Sequence, residues 1–290
     1  MIIGVHDGVV LAADSASTLM VTGSMPQGPQ TVNGVVNVYD NANKIFNLYK
    51  GLPVGCITFG TGSIGNSSIA TLIKDLRAKL TENELGFDPN RYTIKQVAEI
   101  LATFLGEECI KVTDPVMRQG INLGFLLGGY SSGEALGESW SVEIKNGVAE
   151  QPVELRQKQD PGISWGGQGE ALSRIVLGYS PALLQVLSHS MRGPEGPIPP
   201  EQVIAKIQPA LAGLQAPIVF APMPIQDVID LARFLVNCAV MYSRFAPGPQ
   251  VVGGIVEIAA ITKHEGFKWI SRKHYYDQEF NKEPIHVVND

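Results

Sequence analysis

Charge is scarce in this sequence: only 17% of its 290 residues are Asp, Glu, Lys or Arg. The formal balance of −6 comes without any Lys/Arg-rich run, so there is no electrostatic footprint for nucleic acid or for an anionic membrane surface. Neither is expected as a partner. Cysteine is scarcer still. Cys56, Cys109 and Cys238 stand at spacings that match no zinc or thiol-redox motif, and an odd count suits a reducing compartment. They read as small buried apolar residues. The five histidines, His6, His189, His264, His274 and His286, show no metal-ligand spacing, so neither metal nor cofactor is expected. Long uncharged apolar runs are also missing. The richest segment, Ile225 to Tyr242, contains Asp227, Asp230 and Arg233 and reads as an amphipathic helix rather than a membrane span. The opening MIIGVHDGVVLAADSAS carries Asp7 and Asp14 where a secretory signal needs a basic start and an unbroken apolar core, which points to the cytoplasm.

What is present is ample apolar material, 44% of the chain, arranged in blocks. Ile2 to Val5 and Val9 to Ala13 are apolar runs joined through Asp7-Gly8, a hairpin signal. A Gly/Pro/Gln-rich loop, Gly23 to Gln30, leads to Val32-Asn33-Gly34-Val35-Val36, which reads as a second short hairpin. Strands are expected around Ile45 to Tyr49 and Val54 to Phe59. A helix to about Leu80 should present Ile69, Leu72, Ile73, Leu76 and Leu80 on one face, and another from about Thr93 to Val112 has Thr93 and Gln96 in capping-box spacing. A meander follows: Ile121 to Gly129, Ser139 to Lys145, the turn Asn146-Gly147, and Val148 to Leu155. Helices are then expected from Gly169 to about His189 with a bend near Pro181, from about Glu201, and from Pro224 to Phe245. Strands at Val251 to Thr262 and Phe267 to Ile270 close the pattern. Strand blocks alternating with helix blocks, without repeat or linker, predict one α+β domain with two sheets packed between helical layers.

Gly60-Thr61-Gly62-Ser63-Ile64-Gly65 is formally a GxGxxG between a strand and a helix, the layout of a dinucleotide-binding oxidoreductase. That reading also needs a strand ending in an acidic residue about 20 positions on, whereas two helices intervene here. It stands as a remote alternative. Asp14 by itself reads as a turn or capping residue, and Lys44 as a solvated charge at a strand start.

Taken together, GVVLAADSAS, then Asn43-Lys44-Ile45 with Leu48, then Ile57-Thr58-Phe59-Gly60, resemble the opening of a proteasome β subunit of the N-terminal-nucleophile hydrolases. The likeness continues more weakly through Ile121 to Gly129, Ser164 to Gly169 and Gly253-Gly254. It implies a four-layer αββα sandwich spanning residues 1–290, with an insertion at about 19–43 and an extended tail at about 273–290. It implies a homo-oligomeric ring that cleaves peptide bonds of unfolded proteins, and leaves open any ATPase partner. In such a site a threonine's own terminal amine takes the hydroxyl proton while a lysine ammonium favours charge separation. The resemblance assigns Lys44 as that lysine, with Lys50 as the alternative, Asp14 as its carboxylate partner, and the Gly60 backbone N–H as oxyanion donor.

The pattern is incomplete. Counting back from Asp14, the threonine falls at or just before Met1, and none is there. Ala16 stands where the family usually has arginine, the family's supporting aspartate and serine fall near Pro249 and Val252, and the serine of its glycine cluster aligns with Gly167 or Gln168. Two expectations follow: a threonine peptidase whose nucleophile lies upstream of Ile2, or an inactive subunit with an assembly or binding role.

Overall fold

The computed structural model describes residues 1–24, 31–158, 160–193, 196–197 and 199–274. Strands β1 (Ile2–Val5) and β2 (Gly8–Ala13) are followed by a long ribbon of β3 (Ser17–Ser24) and β4 (Thr31–Tyr39), then by β5 (Ile45–Asn47) and β6 (Val54–Gly60). Helices α1 (Ile69–Thr81) and α2 (Ile94–Ile110) precede β7 (Leu123–Gly129), β8 (Glu138–Lys145) and β9 (Val148–Ala149). After β10 (Gly162–Ser164) come α3 (Ala182–Ser190), α4 (Pro200–Ala212) and α5 (Ile225–Phe245), and β11 (Glu257–Thr262) and β12 (Gly266–Ser271) follow.

The result is a mixed fold of helices and several antiparallel sheets. One sheet runs β10-β1-β2-β11-β12 and the other β9-β8-β7-β6-β5. Every residue of β2 is buried because both of its faces are covered. Val9, Leu11 and Ala13 share an apolar cluster with Ile45, Ile57 and Leu126 of the other sheet. Val10 and Ala12 meet Leu172, Val228 and Leu235 on the opposite side. This explains why β2 reads as a continuous apolar run instead of an alternating one. Helices α1 and α2 bury their apolar faces against Val54, Phe125, Leu127 and Val142 of the second sheet. Gly128 sits where the sheets meet: a Cβ there would lie 2.6 Å from Val9 Cγ1 and 2.7 Å from Ile2 Cδ1.

Local chemistry sets the helix starts. Ser68 accepts from Thr71 N at 3.1 Å to cap α1, and Thr93 accepts from Gln96 N at 3.1 Å to cap α2. Among the described residues no helix is long and apolar enough to cross a membrane.

Several expectations are corrected. Asn33-Gly34 makes no turn but lies within β4, opposite Thr22 and Val21 of β3. The first hairpin turns at His6-Asp7, with Val5 facing Gly8. The expected helix from Gly169 is a short turn, Glu170–Leu172, running into a π-helical stretch, Ser173–Leu177, and it ends at Gly178 in the left-handed region (φ 82°), before Pro181. Val148 to Leu155 yields only β9 and the two-residue strand Val153–Glu154, and the strand expected from Val251 begins at Glu257. Cys56 and Cys109 are buried as expected, but Cys238 is only half-buried.

Candidate active site

Ala13 ends β2, and Asp14 follows at the point where the chain leaves the sheet. Asp14 Oδ1 accepts a hydrogen bond from Lys44 Nζ at 2.6 Å. Its Oδ2 accepts from Ala16 N at 3.1 Å and from Gly253 N at 3.0 Å. The pair is largely enclosed, with side-chain exposures of 20% for Lys44 and 14% for Asp14. Lys44 is set by its own backbone, because its carbonyl accepts from Thr58 N at 2.9 Å and so joins it to β6. Lys50, the alternative partner, is exposed in the turn after β5.

Gly60 lies two residues beyond Thr58 at the exposed end of β6. Its φ of 90° and the approach of Asn122 O, 2.5 Å from where a Cβ would stand, admit only glycine. The glycine-rich run after it does not form a strand-to-helix phosphate loop. Ser63–Ile64 and Ser67–Ser68 pair as a miniature hairpin around Gly65, and β6 has antiparallel neighbours on both sides. The dinucleotide-binding alternative lacks its structural context.

Met1 opens β1 beside this pair. Its nitrogen donates to Ala12 O at 2.7 Å, and Ala12 N donates to Met1 O at 3.0 Å. Burial lowers the pKa of this amine to about 5; the Asp14 carboxylate opposes the shift and the Lys44 ammonium adds to it. The Met1 side chain is buried in the apolar cluster of Ile3, Val10, Leu172 and Val176.

The supporting residues come from places sequence reasoning missed. The main chain at Gly253, not a side chain near Pro249 or Val252, holds Asp14, and Gly253 O also accepts from Ser15 N at 2.9 Å. Ser243 on α5 steadies that segment by accepting from Val252 N at 3.2 Å. Behind it is a second ion pair, Lys273–Glu257 at 2.8 Å. The Lys273 ammonium also donates to Ser15 Oγ at 2.8 Å and Ala42 O at 2.7 Å, so its three protons are all used. Lys273 is therefore a buried lock on the loop after β2. Residues 275–290, the remainder of the expected tail, lie outside the described residues. Among the described residues no group of three His, Cys, Asp or Glu side chains is placed to hold a metal ion.

No family model and no curated protein matches this chain. Among solved structures, Anbu (ancestral beta-subunit) from Yersinia bercovieri aligns over 94% of this chain and 87% of its own, with 16% identity and a TM-score of 0.42. Anbu from Hyphomicrobium sp. strain MC1 aligns over 97% and 89%, with 12% identity and a TM-score of 0.44. Scores this low carry no assignment. The expected membership among proteasome β subunits is thereby corrected: no family model supports it, and the structural likeness is too weak to do so.

Proposed function

We propose that this chain is built to hydrolyse peptide bonds with a nucleophile on the N-terminal side of Ile2, using Asp14 and Lys44 as a fixed ion pair. The observation that carries this reading is the 2.6 Å Asp14–Lys44 pair, held by the backbone N–H groups of Ala16 and Gly253 beside the start of β1. Burial at this place lowers the pKa of a terminal amine, which would leave the amine of such a nucleophile able to take a proton from its own hydroxyl or thiol. The Lys44 ammonium favours the alkoxide that results, and Asp14 keeps the ammonium in place. Gly60, exposed at the end of β6, is our candidate N–H donor to the oxyanion.

Met1 supplies an amine but no nucleophile, so the reading requires a threonine or an equivalent residue upstream of Ile2. Our architecture for the chain is a single αββα sandwich in four layers, supported by the three apolar clusters between its sheets and helices. We take the working form to be a homo-oligomeric ring in the cytoplasm acting on unfolded chains. Support for association comes from α5, which leaves Phe234, Met241, Tyr242 and Phe245 exposed. The second reading, an inactive subunit with an assembly role, is favoured by Met1 itself, whose side chain fills an apolar cluster.

The test is fluorogenic-peptide hydrolysis by protein expressed from its native gene with upstream codons, together with its N-terminal sequence. Turnover that disappears in Lys44→Ala supports the hydrolase. A mature Met1 terminus with no turnover passes the assignment to the inactive subunit.

A further inference from the structure

We infer that the outer edge of β3 is a pairing surface for a second copy of this chain, so that two β3–β4 ribbons join edge to edge into one four-stranded antiparallel sheet. The inference extends the association proposed above and depends neither on α5 nor on hydrolysis.

Strands β3 and β4 pair with each other and, among the described residues, with no other strand. A two-stranded ribbon alone is marginal in water, and further strands or a covering surface are needed to stabilise it. Each strand also has one open row of backbone N–H and C=O groups, which proteins ordinarily guard with charged side chains, proline or a bulge. Charge is absent here: from Ser15 to Tyr39 the sequence has no Asp, Glu, Lys or Arg, although these make up 17% of the chain. A bulge guards β4. The register passes from Leu19 opposite Asn37 to Met20 opposite Val35, which leaves Val36 as an extra residue on β4. Strand β3 has no extra residue and no proline, so its edge from Ser17 to Ser24 is the unguarded one.

Neutrality selects the occupant. A second copy brings the same strand, and antiparallel pairing sets that strand against itself, so a charge on the edge would meet its like across the contact and weaken it. An edge that chose a different protein by electrostatic steering would carry charge complementary to that partner. Leu19, 45% exposed, is an apolar side chain that gains a cross-strand neighbour in the pairing. The arm stands on a fixed base: Ala42 N donates to Ser15 O at 2.9 Å across its root, and Lys273 Nζ donates to Ser15 Oγ and Ala42 O. Association therefore need not order the foot of the arm, which lowers its entropic cost.

The experiment measures the mass of the full chain by sedimentation over a dilution series, and hydrogen exchange of the β3 amides at the same concentrations. Half of those amides point outward from a ribbon edge, and they should exchange at least about tenfold more slowly in the assembled chain than in the diluted one. Leu19→Lys should raise the concentration at which the oligomer half-dissociates by about tenfold, through like-charge approach and a lost apolar contact. Val36→Lys, on the bulged strand one strand removed from the contact, should leave it unchanged. If Leu19→Lys does not fold, the wild-type exchange decides. An oligomer that resists Leu19→Lys, or whose β3 amides exchange as fast as in the monomer, overturns the ribbon pairing and leaves association to other surfaces. A wild type that is monomeric at every concentration overturns both this inference and the association proposed above.

Discussion

Lys44 and Lys273 hold carboxylates at 2.6 and 2.8 Å, and the loop they grip, Asp14-Ser15-Ala16, is shared. They differ in access to water. The Lys273–Glu257 side chains are 5% and 2% exposed, whereas Lys44 and Asp14 keep 20% and 14%. In the sealed pair every ammonium proton has a partner within the fold, an arrangement suited to fixing backbone. In the open pair Asp14 is restrained by two backbone N–H groups, and the lysine retains a side toward solvent. The sealed pair positions the loop, and the open pair is the one to which we propose a chemical role.

The largest way to break this contrast is Lys273→Met. It strands Glu257 in the interior without a counter-charge, and unfolding by denaturant should show a loss of about 3–5 kcal/mol. Replacing both partners, Lys273→Met with Glu257→Leu, should recover much of that loss, because an apolar pair of similar volume removes the buried charges altogether. No recovery would mean that the hydrogen bonds to Ser15 and Ala42 carry the stability instead. Lys44→Met should be milder, about 1–2 kcal/mol, because Asp14 keeps its bonds from Ala16 and Gly253.

The smallest effects sharpen the comparison at the Met1 amine. Lys44 lowers its pKa and Asp14 raises it, so Lys44→Met should move the value upward from about 5 and Asp14→Asn downward. The pH dependence of amine acetylation, read by mass spectrometry, measures both. Because the amine takes up a proton near pH 8.0 when unfolded but only near 5 in the fold, a chain starting at Met1 loses stability as pH falls from 8 toward 5.

Much of the fold was legible because its signals are local. The α1 face, the Thr93 cap and the Asn146-Gly147 turn, with φ of 52° and 73°, are read from neighbouring residues. The same dipeptide chemistry misleads at Asn33-Gly34, where pairing with β3 overrides the turn preference. Gly178 ended a helix that Pro181 was expected to bend, since a left-handed glycine terminates helices as effectively as proline. The Asp14–Lys44 contact, spanning 30 residues, was legible only through resemblance to a family the comparisons do not support. Lys273 and Glu257 carried no signal, and Gly253 was marked only as part of the weaker resemblance, because their partners Ser15, Ala42 and Asp14 are distant in sequence and meet them only in the folded chain.

The most direct test of the account is the intact mass of protein from the native gene after exposure to a β-lactone electrophile. The account predicts one adduct on the residue at the N-terminal side of Ile2, absent in Lys44→Ala. An unmodified chain beginning with Met1 would contradict it and leave the Asp14–Lys44 pair as structure alone.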